Sequence, residues 1–201
     1  MIILDVPQLS EEWFAARTGI PSASHFDKIV TSTGAPSKQS EKYLYQLAAE
    51  RLTGIKEQGY TSDAMKRGME LEAEARDLFE MTHDVTVKQV GLCYQDEGKL
   101  FSCSPDGLME DSGIEIKCPL SHTHVGYLFN GGLPTEYIQQ VQGSMLVTGF
   151  SSWFFMSYFP GLPTLIINVK RDAIFCAKLQ AALALFCKEL DAVTEKIREL
   201  N

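Results

Sequence analysis

Segment 104–119 constrains the fold of this chain more than any other part of the sequence. It reads Ser-Pro-Asp-Gly-Leu-Met-Glu-Asp-Ser-Gly-Ile-Glu-Ile-Lys-Cys-Pro, with one acid, Asp106, in a turn and another, Glu115, in a short apolar run. On a strand, Glu115 and Lys117 point to one face while Ile116 points to the other. Because unpaired charge is costly to bury, a core strand of this kind needs partners for its charges. A hairpin that brings Asp106 beside Glu115 meets that need, since two carboxylates can share a divalent cation next to the lysine.

The Glu-Ile-Lys run also has a simpler explanation. An acid and a lysine two residues apart on a strand usually mark a solvated face with a weak cross-strand pair. The apolar residues around the run, the Pro-Asp-Gly turn before it and Pro119 after it favour the buried alternative. The segment therefore predicts a metal site suited to the hydrolysis of phosphodiesters.

The length and composition are those of one ordinary globular domain covering residues 1–201. No run is long enough to span a membrane, and the apolar start at 2–4 is too short for a signal peptide. The five cysteines lack Cys-x-x-Cys spacing, which is typical of reduced thiols in a cytoplasmic protein. The net charge of −8 argues against a protein that coats nucleic acid. It does not exclude a nuclease, because a bound metal neutralises clustered acids and the N-terminal part is richer in cations.

Apolar spacing and capping residues predict a mixed order of helices and strands. The predicted helices, with caps at Ser10, Ser22, Ser62 and Asp172, cover 11–17, 23–30, 41–52, 63–81, 121–130, 135–147 and nearly thirty residues from 173. The predicted strands cover 85–94, 100–103, 108, 114–118, 151–159 and 164–169. Helices first, then a mixed sheet interrupted by a helix pair, then a closing helix indicate a single α/β sandwich.

Polar residues on otherwise apolar helices are further candidates. Glu72 lies on the side of its helix away from Glu70 and Glu74, so it is either a second metal ligand or the partner of a buried arginine. Three glutamines, Gln139, Gln140 and Gln142, lie in one apolar helix. Such amides must find hydrogen-bond partners, which are either a water or phosphate oxygen at the site or backbone groups.

Hydroxyl and basic side chains cluster near the start of the chain. Arg17, Ser22 and Ser24 form a donor-rich entry to a short helix, which suits either a phosphate or plain capping. His122 and His124 lack further ligands at zinc-site spacing. No Gly-x-Ser-x-Gly, Walker or Gly-x-Gly-x-x-Gly motif occurs, so serine hydrolysis and nucleotide-driven coupling are not expected.

The motifs at 104–108 (Ser-Pro-Asp-Gly-Leu) and 115–119 (Glu-Ile-Lys-Cys-Pro) resemble those of the phage lambda-type exonucleases. This family, also called the viral alkaline exonucleases, belongs to the PD-(D/E)xK nuclease superfamily. Segments 13–24, 67–80 and 140–148 resemble its other conserved blocks in the same order, so the resemblance covers most of the chain. It implies a restriction-endonuclease-like mixed central sheet flanked by helices.

The resemblance also implies an activity. Members of the family are Mg²⁺-dependent phosphodiester hydrolases, with Mn²⁺ as a substitute, that form toroidal homotrimers around duplex DNA. They degrade one strand 5′→3′ to mononucleotides and leave 3′ overhangs for a single-strand annealing protein in phage-type homologous recombination. A host-cytoplasmic or prophage-encoded protein is expected. Alternatives are a PD-(D/E)xK endonuclease and a catalytically silent DNA-binding subunit, although the presence of Asp106, Glu115 and Lys117 counts against the latter.

By the same resemblance, Asp106, Glu115 and the Ile116 carbonyl hold the metals, and Glu72 contributes to the second. Lys117 is expected to position or activate the attacking water, with Gln140 nearby.

A pocket for the terminal 5′-phosphate is implied as well. Arg17, Ser24 and Ser104 match its positions, but the family's second pocket arginine is replaced by Thr123. Either the neighbouring His122 or His124 takes over part of its task, or the preference for a 5′-phosphate is weaker.

Overall fold

The computed structural model describes residues 1–56 and 63–200, with the backbone alone at 64 and 65. The helices are α1 Glu11–Arg17, α2 Ser40–Thr53, α3 Asp63–His83, α4 Ser121–Asn130, α5 Ile138–Thr148 and α6 Ala173–Arg198. The strands are β1 Ile2–Leu4, β2 Leu92–Tyr94, β3 Ser102–Cys103, β4 Gly107–Leu108, β5 Ser112–Lys117, β6 Ser152–Ser157 and β7 Leu165–Lys170. Two 3₁₀ helices cover Ala23–Lys28 and Thr135–Tyr137. Within these described residues no helix is both long and apolar enough to cross a membrane.

The strands form two sheets. A small antiparallel sheet has the order β1-β2-β3, and a larger one has the order β4-β5-β6-β7. In the larger sheet β5 and β6 are parallel, while the two outer pairs are antiparallel. The predicted α/β fold with a mixed sheet flanked by helices is confirmed.

The parallel pair explains how the chain returns to the site. Parallel neighbours need a long crossover, and here α4 and α5 provide it between β5 and β6. Helix α5 then packs on the first 3₁₀ helix and on strands of both sheets. A Cβ on Gly143 would lie 2.4 Å from the Phe26 ring, so only glycine allows this approach.

Helix α3 packs on the larger sheet through a separate apolar cluster. Ala75 and Phe79 contribute to this cluster with Ile114, Ile116 and Met156 from β5 and β6. All five side chains are buried. This packing sets α3 against β5, so the polar residues of α3 lie near the end of that strand.

The predicted elements are mostly confirmed. Ser10 caps α1 by accepting from the Trp13 amide at 3.2 Å, and Asp172 caps α6 by accepting from Ile174 and Phe175 at 2.9 Å. The proposed cap Ser62 lies outside the described residues.

Three details of the prediction are wrong. The strand over 85–94 is regular only at its end, because Lys88 makes one isolated bridge to Leu108 instead of continuing a ladder. The segment after Ser22 is a 3₁₀ helix, and the Ser22 side chain makes no capping bond. Residues 135–137 likewise form a 3₁₀ turn before α5 begins. In addition, strand β1, which pairs with β2, was not predicted.

Candidate active site

The predicted hairpin brings Asp106 close to the strand that carries Glu115. Strand β4 pairs with β5 through Gly107 and Ile114, which places the preceding turn beside the second half of β5. The Ile116 amide donates to Asp106 Oδ2 at 2.6 Å. The Asp106 carboxylate is therefore held next to the backbone between Glu115 and Lys117.

Glu115 lies at the centre of the cluster and is 2% exposed. Its Oε1 accepts from Lys117 Nζ and, at 2.6 Å, from Gln140 Nε2. Its Oε2 is buried and has no hydrogen-bond partner among the described residues. Lys117 Nζ also lies 5.2 Å from the ring centroid of Tyr137. The structure thus brings together an acid, an amide and an ammonium, with one carboxylate oxygen left for a further ligand.

Helix α3 adds an ion pair to this cluster. Arg76 NH2 donates to Glu72 Oε1 at 2.5 Å, and Arg76 Nε donates to the Asp106 carbonyl at 3.1 Å. The arginine side chain is 9% exposed and that of Glu72 is 31% exposed. The alternative prediction for Glu72, a partner for a buried arginine, is confirmed. The same contacts place Glu72 close to Asp106, so the two expectations for Glu72 do not exclude each other.

The carboxylates perturb one another. Burial, reinforced by the charge of Asp106, raises the pKa of Glu115 to about 8 and that of Glu72 to about 7. Burial also raises the pKa of Asp106. Burial opposes the charge on Lys117, but Glu115 and Asp106 outweigh it and raise the pKa of the ammonium. Burial and the charge of Asp106 therefore disfavour the ionised forms of Glu115 and Glu72.

The charges and hydrogen bonds of the carboxylate cluster determine how well it could bind a metal ion. Carboxylates whose pKa values are raised chiefly by burial, together with an unpartnered carboxylate oxygen, are the donor set that hard divalent cations prefer. Across the described parts of the chain, however, no three His, Cys, Asp or Glu side chains converge into a finished metal cage. One oxygen of Glu72, Oε1, is already engaged by Arg76.

A second polar cluster surrounds Arg17, which is 7% exposed. Arg17 NH2 donates to Ser22 Oγ at 3.1 Å and to Ser24 Oγ at 3.2 Å. The guanidinium lies 4.2 Å from the ring centroid of Trp13. The Ser22 side chain accepts from Arg17 and makes no capping bond to the 3₁₀ helix that follows, so the plain-capping explanation is wrong for this hydroxyl. Arg17 Nε is buried without a hydrogen-bond partner in the described part of the chain.

Trp13 connects this second cluster to the carboxylates. Its Nε1 donates to Ser104 Oγ and to the Gly91 carbonyl, both at 2.8 Å. Ser104 precedes Asp106 by two residues, so the Trp13 indole links the Arg17 cluster to the turn that carries Asp106. The structure brings the three residues together, with Ser104 joined to Arg17 through the indole.

Some contributors were not identified from the sequence. Gln8 donates to the Pro105 carbonyl at 2.8 Å and to the Val90 carbonyl at 3.0 Å, so it holds the turn that carries Asp106. Trp13 and Tyr137 were likewise not assigned to the site. These contacts join residues far apart in the chain, such as Gln8 and Pro105 with a separation of 97, and no local pattern indicates them.

The other glutamines and a histidine have structural roles. Gln139 donates to the Val30 carbonyl at 3.2 Å, and Gln142 donates to the Lys170 carbonyl at 3.0 Å. The backbone explanation is therefore right for these two, whereas Gln140 reaches the site. Of the two histidines left open as substitutes for the missing pocket arginine, His124 is fully buried. Its nitrogens contact Ser157 Oγ at 2.7 Å and the Pro163 carbonyl at 2.9 Å.

Comparison with known proteins gives the chain a family. The YqaJ-like viral recombinase domain matches residues 12–151. An alkaline exonuclease (LHK-Exo) from Laribacter hongkongensis is 34% identical, with a TM-score of 0.86 over 94% of this chain and 97% of that chain. The same enzyme in complex with dAMP gives a TM-score of 0.85 at 34% identity and the same coverage. No curated protein sequence matches this chain.

A more distant structure shares the fold alone. A phage-related exonuclease from Haemophilus somnus 129PT is 15% identical, with a TM-score of 0.68 over 89% of this chain and 96% of that chain. The family match covers the segment from α1 to the start of β6, which includes both polar clusters. On these grounds the chain belongs to the YqaJ-like viral recombinase domain family.

Proposed function

We propose that this protein is a metal-dependent exonuclease that degrades one strand of duplex DNA from its ends. One observation carries the proposal: Asp106, Glu115, Lys117 and Gln140 meet at the end of β5 in a chain similar over nearly its whole length to an alkaline exonuclease. Oxygen ligands beside an ammonium are suited to phosphodiester hydrolysis.

Asp106, Glu115, the Ile116 carbonyl and Glu72 would hold Mg²⁺, or Mn²⁺ as a substitute. The metal would polarise the scissile phosphate and lower the pKa of a bound water. Lys117 is fixed by Glu115 and lies beside Tyr137, so it would position the attacking water and offset charge that develops on the phosphate. Gln140 would hold Glu115 in a single orientation through its 2.6 Å hydrogen bond.

The Arg17 cluster would bind the terminal 5′-phosphate. Its guanidinium is buried and already oriented by two serine hydroxyls, so little side-chain freedom is lost when an anion binds. Ser24 and Ser104 would add hydroxyl donors. Since His124 is occupied elsewhere, only the exposed His122 is left of the two histidines next to Thr123. A modest preference for phosphorylated ends therefore follows, and with it 5′→3′ polarity.

The assembly and biological role follow the family resemblance. A homotrimeric ring would place cations around the DNA and leave the acids outside, which reconciles DNA binding with a net charge of −8. The 3′ overhang would pass to a single-strand annealing protein during phage-type recombination in the cytoplasm. Light scattering should give three times the 22.4 kDa chain mass, and a monomer at working concentration would contradict the ring.

The direct test uses duplexes labelled at either end and closed circular DNA, each incubated with Mg²⁺ or Mn²⁺. The proposal expects mononucleotides from linear duplex, release of a 5′ label before a 3′ label on the same strand, and no cutting of circles. Glu115→Gln should abolish release, whereas Glu189→Gln, an exposed acid on α6, should not. Cutting of closed circles would indicate an endonuclease. Binding without any metal-dependent release would indicate a silent DNA-binding subunit.

A further inference from the structure

Arg67 lies in the first part of α3, where the helix passes the end of β5. At the next residue, a Cβ added to Gly68 would lie only 3.6 Å from the Cys118 carbonyl oxygen, so the helix passes close to the strand end. Arg67 NH1 points to the Pro119 carbonyl at 3.4 Å. Pro119 follows Lys117 by two residues, which limits the distance between their Cα atoms to about 8 Å. The guanidinium therefore lies beside the backbone that follows the proposed catalytic lysine.

An aromatic stack fixes the Arg67 guanidinium. Its Cζ lies 4.6 Å from the ring centroid of Phe159. The Phe159 ring in turn stacks on the imidazole of His124, with centroids 6.4 Å apart and planes inclined by 26°. His124 is anchored at both nitrogens by Ser157 and Pro163. The buried histidine thus supports the ring on which the arginine rests.

Arg67 has donors to spare, unlike Arg76. The Arg76 side chain is used by Glu72 and the Asp106 carbonyl. None of the ion pairs found among the described residues involves Arg67, and its contact with Pro119 is long. A guanidinium carries five N–H donors in a rigid fork. The half-buried guanidinium of Arg67 lies beside the Phe159 ring, and in the described part of the structure it forms no ion pair with an acid.

We infer that Arg67 binds a phosphate of the DNA strand next to the one being cut, an inference that rests on the exonuclease function proposed above. The planar fork of arginine matches a phosphate with two parallel hydrogen bonds. Successive phosphates of one strand lie about 3.4 Å apart along the duplex axis, so a strand engaged at Lys117 brings a second phosphate within reach. Arg67 would be a positioning residue that holds the strand in register.

The test compares Arg67→Gln and Arg67→Lys with the wild-type protein and with Arg198→Gln. Arg198 is an exposed arginine paired with Glu195 at the far end of α6, so it serves as the matched control. Fluorescence anisotropy with duplex ends in Ca²⁺ gives Kd over a series of salt concentrations, and turnover in Mg²⁺ gives kcat and KM. Thermal unfolding reports whether either variant is structurally damaged.

The inference expects Arg67→Gln to raise Kd and KM about tenfold, equivalent to about 1.4 kcal/mol, with kcat nearly unchanged. The slope of log Kd against log salt should fall by about 1, because one phosphate contact is lost. Arg67→Lys should recover the slope but only part of the affinity, since an ammonium lacks the fork.

Two results would overturn the inference. An Arg67→Gln variant with wild-type Kd and salt slope would show that no phosphate is bound there. Weaker binding at an unchanged slope, with a lower unfolding temperature, would show a merely structural role. The proposed function fails separately: a wild-type protein that binds duplex with the expected slope change in the variant but never cleaves it would refute the exonuclease and keep the Arg67 contact.

Discussion

Binding of Mg²⁺ should expel protons from the carboxylate cluster, and the number expelled should depend on pH. The pKa of Glu115 is raised to about 8 and that of Glu72 to about 7, first by burial and then by Asp106. Metal ligands must be deprotonated, so protons on these groups leave when a cation binds.

The raised pKa values set the magnitude. At pH 7 a carboxyl with a pKa of about 8 is ~90% protonated, and one with a pKa of about 7 is about half protonated. Together they release on the order of one proton per metal at pH 7, and about a tenth of a proton at pH 9. The affinity for Mg²⁺ should therefore tighten from pH 6 to about pH 9 and level off above that, so alkaline pH favours metal binding.

The same shifts bear on the stability of the metal-free fold. Both carboxyls have folded pKa values above the unfolded value of 4.5, so between these values the folded state binds more protons than the unfolded state. The free energy of unfolding without metal should fall as pH rises from about 4.5 toward 8. Mg²⁺ should restore it, and the gain in Tm should be larger at pH 8.5 than at pH 6.

Calorimetric titration of Mg²⁺ in two buffers with different ionisation enthalpies measures the released protons directly. Glu115→Gln should remove most of one proton from the count at pH 7, and Glu72→Gln about half of one. The exposed control Glu189→Gln should leave the count unchanged. Equal Mg²⁺ affinity at pH 6.5 and pH 9, with no difference between buffers, would refute the reasoning.

Three further changes test other parts of the structure. Lys117→Ala should keep DNA affinity within about twofold. Its single-turnover rate should fall by on the order of 10²–10⁴-fold, the size of general acid–base effects. Binding that is about tenfold weaker, with normal cleavage, would make Lys117 an electrostatic anchor only. Arg17→Ala should abolish the preference for 5′-phosphorylated over 5′-hydroxyl ends in a rate comparison, while hydroxyl ends are still cut slowly; equal wild-type rates on both would contradict the pocket. His25→Gln should reduce acid sensitivity, because burial, with Lys28 and Arg17, lowers the pKa of His25 from 6.5 to about 4. Below pH 6.5 the unfolded state then binds a proton on His25 that the folded state does not. In the wild-type protein this should lower the free energy of unfolding, measured in urea, by ~2 kcal/mol at pH 5. An identical pH dependence in the variant would disprove this.

Local patterns explain why the centre of the site could be predicted. The alternation of Glu115, Ile116 and Lys117 and the turn at Asp106 are contained within one hairpin, so the sequence itself specifies the contact. Glu72 was ambiguous because two roles were open to it. Its ion pair with Arg76, one helical turn away, is a local contact. A role as a metal ligand depends instead on residues that are distant in the sequence.

Tertiary contacts explain why other parts could not be predicted. The bounds of α4 were predicted correctly, but its buried face depends on Ser157 and Pro163, which neither helical spacing nor composition reveals. Segment 85–94 has the composition of a strand, but which of its residues form a regular strand depends on the strands available to pair with them. Contacts such as Trp13 to Ser104 join residues 91 positions apart in the chain and leave no periodic signal.

The crossover between β5 and β6 also determines when the site can form during synthesis and folding. Glu115 meets Gln140 only after α4 and the start of α5 have been made and folded back, and the Asp106 turn is braced by Gln8 from the far N-terminus. Contacts between distant segments close the longest loops and form late in folding. A chain still emerging from the ribosome therefore carries the separate side chains but not their arrangement, so the capacity to cut DNA arises only when synthesis has passed the crossover.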